Sequence, residues 1–260
     1  MSYTEESTRY AESLMLREPA LLRELREATA SELLHDDMLS GPVVGGFLNM
    51  LVRISGARTV LEVGTFTGYA TLWMAMALPP DGLIVTCESN EKYASIARRF
   101  FSRCRSEMGL EQEQGLGGRG STGSESTGPS PGAHGKSNRF HTGTAAIHLL
   151  MGPALEAPLP ERIDFVFLDA DKEYYPEYYR RIKPLLAPGG LMVIDNAFWG
   201  GEVWGAGAES GEGDAANGTM TTGRKAVAID RLNRTIANDP DVENVVLTVR
   251  DGLHLVRKIR

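Results

Sequence analysis

Short apolar segments alternate with longer amphipathic segments along most of the chain. Four segments of four or five residues are apolar on both faces, as expected of buried parallel strands: Thr59–Val63, Leu83–Cys87, Asp164–Leu168 and Leu191–Ile194. Segments with helical periodicity surround them: Leu21–Leu34, Val43–Ile54, Tyr69–Ala77, Glu91–Met108 and Tyr175–Leu186. This alternation predicts a doubly wound, Rossmann-like α/β sheet, with helices over about residues 1–55 in front of it.

The C-terminus predicts a change of strand direction. Two strand-like segments, Val245–Val249 and Leu253–Ile259, are separated only by Arg250-Asp251-Gly252. A glycine-containing gap this short turns the chain back on itself, so the two strands should be antiparallel. The expected sheet is therefore mostly parallel and ends in an antiparallel hairpin.

Two segments lack the periodic pattern. Residues 111–139 are rich in Gly, Ser, Thr and Pro, and residues 205–223 are rich in glycine. Segments of this composition cannot bury enough apolar surface to offset the entropy lost on ordering. Because the pattern resumes after each, both are predicted to be flexible insertions in a single domain that spans residues 1–260.

Composition narrows the class of protein. The 260 residues carry a formal net charge of −7, which disfavours nucleic-acid binding. No apolar run approaches the roughly 20 residues of a membrane span, and the N-terminus, with Glu5 and Glu6, lacks a signal core. Cys87 and Cys104 are the only cysteines, which suits a reducing compartment. We therefore expect a cytoplasmic protein that binds neither nucleic acid nor membrane.

The first predicted strand leads into a candidate ligand-binding turn, Glu62-Val63-Gly64-Thr65-Phe66-Thr67-Gly68, before a helix. Glycines let a backbone approach a ligand closely, and a helix N-terminus offers free N–H groups. The spacing Glu-x-Gly-x-x-x-Gly differs from the dinucleotide pattern Gly-x-Gly-x-x-Gly, and Glu62 would suit a cationic or amine-bearing ligand. The alternative is a plain turn with Glu62 at the surface.

Glu88 ends the second predicted strand, 20 residues beyond Gly68. A carboxylate at this place can accept both ribose hydroxyls of an adenosine-containing ligand. Glu88 could equally cap the helix that begins near Asn90. Together with the preceding turn it favours an adenosyl cofactor.

Oxygen-bearing side chains follow the third and fourth predicted strands. Asp169 follows one strand, and Asp195 and Asn196 end and follow the other. Consecutive βα units place such strands side by side, so these side chains should converge at the carboxyl edge of the sheet. Hard oxygen donors without His or Cys favour Mg²⁺ and disfavour zinc. The alternative is that Asp171 and Asp195 are ordinary loop residues or helix caps.

Other side chains near these strand ends could act on a substrate. Lys172 lies three residues after Asp169 and could reach the same cavity as a base, or it could be a surface lysine paired with Asp171. Aromatic residues after Asn196 could wall an aromatic substrate site: Phe198, Trp199 and Trp204.

The sequence resembles the cation-dependent O-methyltransferases of the caffeoyl-coenzyme A and catechol type. The match covers nearly the whole chain outside the two insertions. It rests on these segments: Tyr10 with Ser13-Leu14 and Arg17-Glu18-Pro19, Leu25-Arg26 with Thr29, Val60–Leu78, Asp169-Ala170-Asp171-Lys172, Asp195-Asn196 with Trp199-Gly200-Gly201, Asp239-Pro240 and Asp251-Gly252. The family has the class I methyltransferase fold, whose sheet ends in an antiparallel hairpin.

The resemblance implies a cofactor, a metal and their ligands. S-adenosylmethionine (SAM) would be held by Ser40, Glu62, Gly64, Thr65, Phe66, Gly68, Tyr69, Glu88, Ala145, Asp169 and Asp171. Within that set, Ala145 would lie beside the adenine and Asp171 near the methionine part. A divalent cation, Mg²⁺, would be bound by Asp169, Asp195 and Asn196. Lys172 would be the catalytic base beside Asp169, and Lys172 and Trp199 would contact the acceptor.

Two features depart from the family pattern. Val43 and Val44 stand where acidic residues are usual, and the insertion at 205–223 falls where the acceptor usually binds, so the substrate is not carried over. The resulting hypothesis is SAM- and metal-dependent methylation of one hydroxyl of a vicinal dihydroxy aromatic molecule, such as a catechol, phenylpropanoid or flavonoid. A homodimer to which the N-terminal helices contribute is also expected.

Two alternative functions compete with this hypothesis. A nicotinamide-dependent dehydrogenase could use a similar sheet, although the missing Gly-x-Gly-x-x-Gly and the C-terminal hairpin weigh against it. A non-catalytic cofactor-binding scaffold would have no need of the candidate metal and base residues. Binding of NAD would favour the first alternative.

Overall fold

The computed structural model describes residues 3–15, 18–33, 38–108, 137–141, 145–206 and 219–260. Eight strands in the described chain form one sheet: β1 (Thr59–Val63), β2 (Leu83–Glu88), β3 (Ser137–His141), β4 (Ala146–Met151), β5 (Ile163–Leu168), β6 (Leu186–Asp195), β7 (Val242–Leu247) and β8 (Leu253–Lys258). Their spatial order is β3-β4-β2-β1-β5-β6-β8-β7. The five strands from β4 to β6 are parallel, whereas β3, β8 and β7 each pair antiparallel with a neighbour.

Helices cover both faces of this sheet. Their bounds are α1 (Tyr3–Leu14), α2 (Ala20–Glu32), α3 (Gly41–Ser55), α4 (Tyr69–Ala75), α5 (Glu91–Met108), α6 (Tyr175–Ile182) and α7 (Thr219–Ala237). Alternate strand residues enter two apolar cores, because successive side chains of a strand point to opposite faces. Val60 packs with α2 to α5, and Leu61 packs with α6 and α7. The predicted doubly wound sheet with a C-terminal antiparallel hairpin is confirmed.

The central strands agree with the sequence prediction, and the sheet is larger than predicted. β6 begins at Leu186 rather than Leu191, because the chain crosses Pro188-Gly189-Gly190 within the strand through a register shift against β5. α1 falls within the helices predicted over about residues 1–55, whereas β3, β4 and α7 were not predicted. β4 is apolar enough to be a strand, but it lies shortly after the glycine- and serine-rich residues 111–139, and no strand was predicted there.

The two predicted insertions are shorter than expected. The last residues of 111–139 belong to β3, where pairing with β4 satisfies their backbone groups, and residues 219–223 belong to α7. Residues 111–136 and 207–218 lie outside the described residues. No helix in the described part of the chain is long and apolar enough to cross a bilayer.

A buried histidine helps to hold the turn after β6. His254 of β8 is 1% exposed, and its Nδ1 lies 2.9 Å from Oδ1 of Asn233 on α7. Asn233 in turn donates through Nδ2 to the carbonyl oxygen of Ala197, at 2.9 Å. This fixes the orientation of the Asn233 amide, so Nδ1 of His254 is the donor. Burial lowers the pKa of His254 from 6.5 to about 4, which keeps the ring neutral.

Replacement of Gly68 by Ala is expected to lower the free energy of unfolding by roughly 2–5 kcal/mol. Gly68 has φ +91°, and an added Cβ would lie 2.5 Å from the Phe101 ring of α5. Gly56→Ala is the matched control, because Gly56 also has positive φ, +65°, but an added Cβ meets nothing within 4 Å. The control should lose only about 1–2 kcal/mol in urea unfolding. Equal losses in the two variants would contradict the packing argument.

The stability of the protein should fall on acidification through the titration of His254. The unfolded state binds a proton near pH 6.5 and the folded state only near pH 4, so the free energy of unfolding falls as pH is lowered from 6.5 to 4. His254→Gln lacks this group while all other titrating groups remain. Urea unfolding between pH 4 and 7 should show an acid loss in the wild type that exceeds the loss in the variant by on the order of 2 kcal/mol. Parallel pH curves would disprove the assignment.

Candidate active site

A narrow cleft forms where three segments meet at the carboxyl edge of the sheet. It is lined by the segment before α3, by the turn between β1 and α4, and by the end of β5. Of the residues predicted to hold SAM, six line this cleft: Ser40, Gly64, Thr65, Phe66, Tyr69 and Asp169. The structure thus brings together residues that are up to 129 positions apart in the sequence.

Gly64 lies against the backbone of the neighbouring strand end. The Asp169 amide donates to the Val63 carbonyl oxygen at 2.9 Å, and a Cβ on Gly64 would collide with the Asp169 carbonyl oxygen. Gly64 also has φ +99°, which only glycine adopts without strain. Glycine is therefore required at position 64 because the turn after β1 contacts the end of β5, whether or not a ligand is bound. The same contact forms the floor of the cleft.

Glu62 is fully buried behind the cleft. Its Oε2 accepts hydrogen bonds from Thr71 of α4 and Thr86 of β2, both at 2.5 Å, and Thr86 lies 2.6 Å from the hydroxyl of Thr65. Burial raises the pKa of Glu62 to about 8, although the two threonine hydrogen bonds oppose this effect. The expected direct contact with a cationic ligand does not fit a side chain with no exposed surface. Glu62 instead supports Thr65 through the hydroxyl of Thr86, and neither Thr71 nor Thr86 is among the residues predicted from the sequence.

Among the described residues, Glu62 also retains an unpartnered atom. Its Oε1 is buried and has no hydrogen-bond partner there. An unpaired buried oxygen of this kind is costly, and the cost falls when a donor reaches it. Protonation of Glu62, which its raised pKa favours, removes the charge from this buried site and lowers that cost.

Glu88 fixes the turn that forms one wall of the cleft. Its Oε2 accepts from the Phe66 amide at 2.7 Å and its Oε1 accepts from the Asn90 amide at 2.8 Å. The helix-cap alternative is wrong, because Asn90 itself caps α5 by accepting from the Lys92 amide at 2.9 Å. Burial is the main cause that raises the pKa of Glu88. Each carboxylate oxygen keeps a lone pair for a ligand hydroxyl.

Ala145 does not lie near Glu88, which corrects the expected position beside an adenine. Ala145 precedes β4, whose first residue Ala146 pairs with Leu83 at the amino end of β2. Glu88 pairs instead with Met151, and the amide of Gly152 donates to the Glu88 carbonyl oxygen at 2.9 Å. The residue types around Ala145 suggested the assignment, but the register of the sheet places Gly152 at the cleft edge.

Lys172 and two carboxylates form the second part of the site. Nζ of Lys172 lies 2.6 Å from Oδ1 of Asp169 and 2.7 Å from the hydroxyl of Tyr175. Only 8% of Lys172 is exposed, so it is not a surface lysine, and its carboxylate partner is Asp169 rather than Asp171. Asp171 is exposed, and its expected place near the methionine part of SAM stays a prediction.

Asp195 ends the strand next to Asp169. Because β5 and β6 pair in parallel, with Leu168 opposite Ile194, the two carboxyl groups face the same region. Burial, and then the charge of Asp169, raise the pKa of Asp195 to about 7. A cation between these two carboxyl groups would relieve this repulsion and the cost of burial.

Asn196 is held by the turn between β7 and β8. Its Nδ2 donates to Oδ2 of Asp251 at 3.1 Å, and Oδ1 of Asp251 accepts from the Gly200 amide at 2.7 Å. This contact leaves the amide oxygen of Asn196 available as a third hard oxygen beside two carboxyl groups, a donor set that suits Mg²⁺. No group of three or more His, Cys, Asp or Glu side chains suited to a metal occurs in the described ranges.

The aromatic residues after Asn196 cover the end of the sheet without lining the cleft. Phe198 packs against Gly252, where an added Cβ would lie 2.7 Å from its ring, and Trp204 is 72% exposed. The Trp199 ring lies 5.4 Å from Nζ of Lys225 on α7. The expected contact of Trp199 with an acceptor stays a prediction.

The chain matches the model of a family described as O-methyltransferase over residues 11–117 and 142–259. It is 32% identical over 248 residues to caffeoyl-CoA O-methyltransferase 1 of Eucalyptus globulus, covering 95% of this chain and 85% of that protein. It is 31% identical over 257 residues to caffeoyl-CoA O-methyltransferase of Petroselinum crispum, covering 95% and 87% of the two chains.

Solved structures with bound cofactor share the fold. The O-methyltransferase from Bacillus cereus in complex with SAH superposes with a TM-score of 0.70 at 26% identity, over 97% of each chain. The O-methyltransferase TomG from Streptomyces achromogenes, in complex with SAM, gives a TM-score of 0.70 at 25% identity over 100% of each chain. The chain therefore belongs to the O-methyltransferase family of the caffeoyl-CoA type and is a SAM-dependent O-methyltransferase.

Proposed function

We propose that this O-methyltransferase transfers a methyl group from SAM to one hydroxyl of a vicinal dihydroxy aromatic molecule, with the help of a divalent cation. The observation that carries the proposal is the cluster of Lys172, Asp169 and Asp195 beside the SAM cleft. The buried Nζ of Lys172 lies 2.6 Å from one carboxylate, and a second carboxyl group stands on the adjoining strand, so a candidate base, in its neutral amine form, adjoins hard oxygen ligands.

The cofactor cleft supports the SAM part of the proposal. SAM, when bound, supplies an electrophilic methyl group on its sulfonium sulfur. Glu88 would accept hydrogen bonds from the ribose, and Gly152, whose amide donates to the Glu88 carbonyl oxygen, would lie beside the adenine. Ser40 and Asp169 line the cleft as well and would contact the methionine part of SAM.

The donor set supports the metal part. Asp169, Asp195 and Asn196 are the side chains that would hold a divalent cation such as Mg²⁺. The cation, when bound, would polarise the oxygens of a diol and make the attacking hydroxyl more acidic. The residues themselves fix the diol relative to the SAM cleft, since Asp169 belongs to both.

Lys172 performs the proton chemistry in this proposal. Its Nζ either takes the proton of the attacking hydroxyl or stabilises the oxygen anion that forms. Tyr175 keeps it in place, because the Tyr175 hydroxyl accepts from Nζ and lies 3.2 Å from the Asp195 carbonyl oxygen. Buried surroundings exclude water and strengthen these interactions.

The competing functions lack comparable support. The family match is to O-methyltransferases, and the turn after β1 binds its own neighbouring strand rather than presenting the dinucleotide pattern. The candidate metal and base residues are in contact, which a scaffold would not require. The homodimer, the cytoplasmic location and the lack of nucleic-acid binding remain predictions.

Asp195→Asn should reduce methyl transfer to a catechol by on the order of 10²-fold, because it removes one carboxylate of the proposed cation site. Excess chelator should abolish wild-type activity, and added Mg²⁺ should restore it. Binding of SAM, measured by calorimetry, should stay within a few-fold of wild type in the variant. Asp230→Asn, which removes a carboxylate paired with Arg234 on α7, is the matched control. Full turnover in chelator would refute the metal site.

Lys172→Met should lower kcat by roughly 10²–10⁴-fold, the range of a lost general base, with little change in SAM affinity. The control is Lys183→Met, because Lys183 is also paired with carboxylates, Asp239 and Asp241, but lies outside the site. Single-turnover methylation with labelled SAM separates the chemical step from product release. If both variants lose activity equally, Lys172 has no special role.

A further inference from the structure

Arg250 connects the turn before β8 to the segment before α3. It adopts a left-handed conformation with φ +51°, which is uncommon for a residue other than glycine. Its Nη1 donates to the carbonyl oxygen of Leu39 at 3.0 Å and to that of Ser40. The contact is close enough that a Cβ on Gly41 would lie 2.9 Å from the same nitrogen. The guanidinium is therefore anchored by one nitrogen, and the donors on its other nitrogens are not used by these two bonds.

A cavity of about 430 Å³ opens beside this contact. It is bordered by α1, α2, the start of α3 and Arg250, and it shares Leu39 and Ser40 with the SAM cleft. Its volume falls in the range of about 300–1,000 Å³ that is usual for small-molecule sites. A molecule in this cavity would lie next to the cofactor without occupying the cofactor's place.

The turn that carries Arg250 also contacts the candidate metal site. The residue after Arg250, Asp251, accepts a hydrogen bond from the Asn196 side-chain amide at 3.1 Å. The cavity thus adjoins the cleft that Asp169 lines, and Arg250 on its wall belongs to the turn that holds Asn196. This is the position that an acceptor needs if one part of it is to reach Asp195 and another part is to remain in the cavity.

The charges on the cavity wall distinguish Arg250 from its neighbours. Arg26 also borders the cavity, but it forms an ion pair with Glu18 at 2.9 Å. For Arg250 no ion pair occurs in the described part of the chain; its recorded partners are two backbone carbonyls. Glu12 and Glu27 border the cavity as well and would repel a ligand with several negative charges.

We propose that Arg250 is a specificity-determining residue, which selects aromatic diols with a single carboxylate by binding that carboxylate in the cavity. The inference rests on the proposed function, since it names the acceptor class for the same site. It favours free carboxylic acids over neutral diols, which leave the guanidinium unpaired. It also disfavours polyanionic conjugates, which Glu12 and Glu27 repel.

The test compares 3,4-dihydroxybenzoate with 3,4-dihydroxybenzamide, which have nearly the same shape and differ in charge. For the full chain with Mg²⁺ and labelled SAM, the acid should have a KM at least about tenfold lower than the amide. In Arg250→Gln the loss of the bonds to Leu39 and Ser40 affects both acceptors alike, but the KM of the acid should rise on the order of 10- to 100-fold more than that of the amide, the range of a lost charge-assisted hydrogen bond. Arg250→Lys should recover part of the preference, and Arg26→Gln should leave the ratio of the two KM values unchanged.

Two results would overturn the proposal. One is an equal KM for acid and amide in the wild type, and the other is an equal loss for both acceptors in Arg250→Gln, which would mean that Arg250 only anchors Leu39 and Ser40. Calorimetry of both acceptors on the SAH complex separates this inference from the proposed function. If neither acceptor is methylated but the acid binds in an Arg250-dependent manner, the cavity assignment holds and the diol methylation fails.

Discussion

The contact between Gly64 and the backbone of Asp169 is the constraint on which the active site depends. The Asp169 amide bonds to Val63, and no side chain fits at position 64, so the turn after β1 and the end of β5 lie in direct contact. The cofactor cleft takes its floor from this contact. The same contact fixes the backbone that carries Asp169 and, three residues later, Lys172. In the proposed function, cofactor binding and catalysis would therefore share one piece of backbone, which would limit errors in the distance between the two substrates.

Most carboxylates around the site already accept hydrogen bonds from groups of the protein itself, and only their remaining lone pairs are available to a ligand. Glu88 holds two backbone amides, Asp251 holds Asn196 and the Gly200 amide, and Glu62 holds two threonines. Glu88 and Asp251 close turns at the carboxyl edge, where helix and strand ends leave N–H groups without partners, and Glu62 joins β1 to α4 and β2. What remains for chemistry is the pair Asp169 and Asp195, whose mutual repulsion is offset by Lys172.

The sequence was sufficient to predict the centre of the sheet and insufficient to predict its edges. β1, β2, β5 and β6 are buried on both faces, so their apolar runs show the fold directly. β3 is an edge strand with the sequence Ser-Asn-Arg-Phe-His, and its pairing with β4 depends on a partner rather than on its own pattern. The position of Ala145 was predicted wrongly because a match of residue types does not show whether a residue lies at the amino or the carboxyl end of a strand. The hydrogen bonds of Glu62 could not be predicted from the sequence either, because its threonine partners lie on two other elements, α4 and β2.

The turn between β7 and β8 contacts both parts of the site, the cofactor cleft and the residues of the carboxylate cluster. Arg250 reaches the segment that closes the cofactor cleft, and Asp251 reaches the strand end that carries the second carboxylate. A hairpin at the edge of the sheet thus fixes the position of Ser40 relative to that of Asp195, although neither residue belongs to it. Since Asp251 bonds to groups of the chain itself, its contribution is geometric. Arg250 keeps donors that its bonds to backbone carbonyls do not use. In our proposal this turn therefore both positions the site and selects acceptors that carry a carboxylate.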